Sequence, residues 1–154
     1  MSFDINKLRK LQNNTTSVKN ASTQSFIKEF DNYLNSEEFE NFLQTAITNR
    51  ILKGDTPKIY CGLPKNQYNR NVFVICESQV VDSTPINGKV FTFWTMVHWN
   101  VSDEIKKSVI NVVDICYELL VNKLESLGIQ VVTKKQNFSI SDREEDSHVI
   151  NLVI

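Results

Sequence analysis

Glycine and proline are scarce, at four and three among 154 residues, so the chain is neither a low-complexity segment nor a linker-rich array. Cysteine is also sparse and odd in number, at three. Cys61, Cys76 and Cys116 lie far apart, each inside an apolar stretch, which predicts reduced, buried thiols in preference to a disulfide framework. Histidine is rarer still. His98 and His148 stand on strand-like stretches with no HxH or HxxxH partner, which argues against a closed zinc site. No apolar run approaches the ~18 residues of a membrane span, and the opening Met1-Ser2-Phe3-Asp4-Ile5 has no signal-peptide core. An excess of one charge is missing too. Seventeen basic and eighteen acidic residues give a formal charge of -1, so no global field draws the chain onto nucleic acid or an anionic membrane. Together these absences predict an intracellular protein with no membrane partner.

What is present is an ordinary globular composition, 41 % apolar and 23 % charged, on a chain of single-domain length. A domain of this size buries about two-thirds of its unfolded surface and can rest on a hydrophobic core alone. Residues 1–22 read as a polar N-terminal arm without usable periodicity, although Ile5, Leu8 and Leu11 could form one helical turn. Residues 23–154 read as a single α+β domain. Phe26, Ile27, Phe30, Tyr33 and Leu34 mark a helix over 23–34. Ser36 caps a second helix, with Glu37 and Glu38 in its first turn and Phe39, Phe42, Leu43, Ala46, Ile47 and Ile51 as its core stripe.

From Pro57 the period changes to two. Strands are predicted over 58–61, 72–81 and 90–99, the last two joined as an antiparallel hairpin through a turn-forming loop at 82–88. Glu77 is expected to face solvent. Ser102, Asp103 and Glu104 open the strongest helix, whose apolar stripe runs from Ile105 through Val109, Val113, Cys116 and Leu120 to Leu127, ending at Gly128. Strands over 129–132 and 148–154 follow, with a further short one at 137–141. The order α-α-β-β-β-α-β-β predicts an antiparallel or mixed β-sheet with helices packed on one face.

The search for chemistry yields no catalytic residue, cofactor loop or metal centre. There is no GxSxG elbow and no HxT pair, the four glycines are too dispersed for a phosphate loop, and Glu77-Ser78-Gln79 has no lysine where a nuclease needs one. Cys76 and His98 could meet across the hairpin, but two residues are not a catalytic constellation. Lys58, Tyr60, Lys65, Tyr68 and Arg70 interleave basic and aromatic side chains around one loop, a composition that single-strand binders use. The spacing is not a motif and the overall charge gives no support, so a solvated loop accounts for it better.

One arrangement remains. The run Ile59-Tyr60-Cys61-Gly62-Leu63-Pro64 leads into the strand beginning at Val72. The 90–99 strand, the helix start Val101-Ser102-Asp103, a long amphipathic helix and a polar hairpin ending on 149–154 come next. Over residues 37–154 this order resembles the tail-terminator and tail-completion (neck) proteins of tailed bacteriophages. The resemblance implies a small α+β subunit without catalytic activity. It implies self-assembly into a ring, typically a hexamer, contacts with neighbouring tail or neck proteins, and DNA sliding through the lumen without sequence-specific binding. It places the protein in the virion, and in the host cytoplasm during assembly. Subunit contacts would then fall on loops carrying Asp82, Asn87, Lys134 and Arg143. A binding module stays open as an alternative, either a phage-encoded inhibitor of a host protein or a single-stranded nucleic-acid binder. So does an enzyme built from scattered residues. An exposed apolar patch would favour the ring, a shared face for Lys58, Lys65 and Arg70 the nucleic-acid binder, and a deep pocket around His98 or His148 the enzyme.

Overall fold

A computed structural model describes residues 4–64, 72–79, 87–92, 103–140 and 146–154; for 10–22 and 105 it describes the backbone alone. The Asp4 carboxylate accepts the Asn6 and Lys7 amides at 3.1 Å and so starts α1, Ile5–Leu34. The helix runs unbroken through the segment expected to be a polar arm, beginning at Ile5 and not at 23. A helix already anchored at its packed end extends backward at one hydrogen bond per residue, with no second nucleation cost. At the other end Ser36 works twice. Its hydroxyl donates to the Tyr33 carbonyl at 2.6 Å, closing α1, and accepts the Phe39 amide at 3.3 Å, opening α2, Glu37–Leu52.

Three strands follow, β1 (Lys58–Leu63), β2 (Val72–Cys76) and β3 (Gly88–Thr92), then α3 (Asp103–Ser126), β4 (Gln130–Val131) and β5 (Asp146–Val153). The strands form one sheet in the order β3-β2-β1-β5-β4, with every neighbouring pair antiparallel. The α+β class is therefore as the sequence pattern predicts, and the order of elements matches it roughly. Bounds differ. β2 stops at Cys76, and residues 133–140 form no strand. Ser102 and most of the predicted 90–99 strand lie outside the described residues.

Alternation along the strands explains the layers. Ile59, Cys61, Phe73, Ile75, Phe91, Ile150 and Leu152 point to one face, where α1, α2 and α3 cover them. Phe30 is fully buried there, its ring 5.0 Å from that of Phe91 and 5.7 Å from that of Phe73. Truncating such a residue costs about 3–5 kcal/mol. Val72, Val74 and Cys76 form a smaller cluster on the opposite face, with Tyr60 and Val90 against it. The helices thus occupy one face of the sheet among the described residues. Gly128, with φ +84°, turns α3 into β4.

Candidate functional site

One face of α2 from Glu40 to Ile51, the turn from α3 into β4, and the residue after β5 meet at one side of the domain. They enclose an open groove of about 530 Å³. Leu43, Ile47 and Ile129 form its floor, continuous with the core. Ile51, Leu127 and Ile154 form its apolar rim, and Glu40, Gln44 and Thr48 its polar side. Ile51 is 53 % exposed and Ile154 is 72 % exposed, so the rim keeps apolar surface in water that the fold does not cover. The sequence pattern assigns Ile51 and Leu127 to core-facing stripes. The structure corrects this: each lies past the last covered turn of its helix, and the two-residue β4 is too short to screen them.

Two polar clusters compete with the groove as sites. The first surrounds Glu77. Expected in solvent, it is only 8 % exposed. Its carboxylate accepts the Asn49 amide at 2.9 Å and the Asn87 amide at 2.7 Å, and Arg50 Nη2 donates to its backbone carbonyl at 2.6 Å. A buried carboxylate survives when such donors replace water, and here they tie α2 to the β2–β3 connection. Asn87, which adopts φ +50°, is occupied in this lock. Arg50 also pairs with Asp55 at 3.2 Å and lies 5.7 Å from the centre of the Tyr60 ring.

Lys58 reaches the same Asp55 at 3.5 Å. Lys58 and Tyr60, two of the five nucleic-acid candidates, are thus brought beside a second cation, Arg50, that sequence reasoning missed, with the Asp55 carboxylate between the two cations. The signal for Arg50 was a charged residue at the end of an apolar helix. Lys65, Tyr68 and Arg70 lie outside the described residues, as do Asp82 and Arg143. Lys134 makes a surface ion pair with Glu125 at 2.8 Å.

The second cluster surrounds His148, which is not alone as its sequence spacing suggests. Its Nε2 touches the Asp146 carboxylate, out of line for a hydrogen bond, and its Nδ1 lies 2.9 Å from Gln136 Oε1. Its ring packs edge-on against Phe138 at 4.6 Å. Asp146 also accepts the Ser139 amide at 2.6 Å. The Asp146-x-His148 spacing places both on one face of a strand, which was the legible signal.

Cys61 faces His148 across the β1–β5 pairing, but it is fully buried. Burial, and then the charges of Asp146 and Cys76, push its thiol well up, so it stays protonated and is a poor nucleophile. Burial likewise pushes Cys76 up to about 11 and Cys116 up to about 12. All three cysteines are free and buried, as predicted.

Comparison with family models, curated proteins and solved structures found no match. The geometry alone therefore ranks the sites. Among the described residues no group of three or more His, Cys, Asp or Glu is placed to hold a metal ion. No described helix is long and apolar enough to cross a membrane. The polar clusters pair most of their groups with each other, leaving Arg50 Nε and His148 Nε2 buried without a hydrogen bond among the described residues, and His98 lies outside those residues. The groove gathers exposed apolar side chains at one concavity.

Proposed function

We propose that this protein acts through its surfaces, as a non-catalytic structural subunit of a tailed-phage virion of the tail-terminator or tail-completion kind. On this reading it assembles with copies of itself into a ring, meets neighbouring tail or neck proteins, and lets DNA pass through the lumen without reading sequence. It forms in the host cytoplasm and ends in the virion. The observation that carries the reading is the open apolar groove along α2 and at the α3 and β5 ends. Apolar surface kept in water at a defined concavity is what protein partners cover. The native mass by light scattering, with negative-stain images, tests it. A ring supports the reading; a strict monomer, alone and in any particle, overturns it.

The second reading is a binding module for single-stranded nucleic acid or a host protein. It is favoured by the meeting of Arg50, Lys58 and Tyr60 on one surface. Binding that weakens steeply with salt would support the nucleic-acid form.

A further inference from the structure

We propose that the groove receives the first two turns of α1 from a second copy of this chain. This deepens the ring reading and rests on it. Ile5 and Leu8, one turn apart on the same face of α1, are each 49 % exposed. The exposed cations Lys7 and Arg9 stand beside them, and neither has an ion-pair partner among the described residues. The helix begins there at a formed cap, so this is a finished helical end presenting an apolar pair and two positive charges.

The groove is its complement. Leu43, Ile51, Leu127 and Ile154 offer apolar walls, and Glu40 is the one charged lining residue, with no cation against it among the described residues. Negative charge on the groove and positive charge on the helix orient the pairing. The two surfaces do not meet within one chain. No α1 residue lines the groove among the described residues, and α1 is unbroken from Ile5 to Leu34, so its first turns cannot fold back without melting the helix. Leu8 lies about 27 Å along the axis from the packed Phe26, at ~1.5 Å per residue.

A helix end on one copy entering a groove on the next is a heterologous contact, which generates closed rings or open filaments and not a two-fold dimer. Two turns cover much less than the ~800 Å² per partner of a stable interface. Each contact is therefore weak singly, and ring closure, in which every copy gives one helix end and takes one, makes it persistent.

The test uses the full chain in two variants that each add one cysteine, Leu8→Cys and Ile51→Cys, mixed under mild oxidation. The native cysteines are buried and do not compete. The expected result is a disulfide between copies, well above that of a control mixture of Leu8→Cys with Ile115→Cys, which is exposed on α3. Separately, Leu8→Asp and Glu40→Lys should each weaken self-association about tenfold or more, worth ~1.4 kcal/mol, without changing the circular dichroism spectrum. Adding Lys7→Glu to Glu40→Lys should restore part of it. Cross-linking at the control level overturns the proposal. If the native protein is oligomeric and cross-linking is at that level, the helix-in-groove contact fails and the ring reading stands. If the native protein is monomeric, alone and in any particle, and cross-linking is at that level, both fail.

Discussion

Gly62 of β1 and Asp146 of β5 are in backbone contact: a methyl group on Gly62 would overlap the Asp146 carbonyl oxygen. The two strands pair from Lys58 to Leu63 against Asn151 to Asp146, so this close approach sits within the longest strand pairing of the sheet. Gly62→Ala should push the strands apart locally and cost about 1–3 kcal/mol. The melting temperature should fall by about 2–4 °C per kcal/mol. An unchanged melting temperature would show that the strands can separate there without loss.

The lock around Glu77 predicts an asymmetry. Glu77→Ala strands the Asn49 and Asn87 amides in a half-buried place and should cost about 1–3 kcal/mol in urea unfolding. Glu38→Ala removes a carboxylate from an exposed pair with Lys89 and should cost under ~1 kcal/mol. Equal losses in the two variants would contradict the burial argument.

Asp146→Asn should loosen residues 133–140. The carboxylate holds the Ser139 amide and contacts His148, whose other nitrogen reaches Gln136. Charge-assisted bonds of this kind contribute about 1.5–3 kcal/mol. The variant should show faster amide exchange and faster tryptic cleavage after Lys134 and Lys135, with α1 and α2 unaffected.

Alkaline pH should destabilise the fold. Burial raises Cys76 from 9.0 to about 11 and Cys116 from 9.0 to about 12, so the folded protein holds these protons more tightly than the unfolded chain does. The stability they contribute is fully present below pH 9 and is lost as pH rises through 11 and 12. A melting temperature measured from about pH 8 upward should decline beyond 9, and Cys116→Ala, though less stable throughout, should decline less steeply. A flat profile for the native protein would refute this.

Much of the fold was legible because periodicity and capping agree locally. Ser36 with its glutamates, the alternation of β1, the continuous apolar run of β2, and the stripe from Val109 to Leu124 each imply their element unaided. The N-terminal part of α1 was not legible, since Asn13 to Ser17 carry no apolar period and helicity there is inherited from the packed end. The groove was hidden for a different reason. Ile51 and Leu127 satisfy the core pattern of their helices, and only the shortness of β4 leaves them outside. Glu77 and His148 depend on partners distant in sequence, Asn49 and Asn87 for one and Gln136 for the other, which no local pattern reports.

The strand order has a consequence for how the chain is made. β5 follows the other four strands in sequence yet lies between β1 and β4. During synthesis β1 and the β2–β3 hairpin emerge first, with one long edge of β1 bare. That edge carries Ile59 and Cys61, and it is closed only when residues 146–153 leave the ribosome. A nascent chain stalled before that point displays a pairing-competent strand to every other such chain nearby. Completion of the sheet and protection from misassociation are therefore one late event.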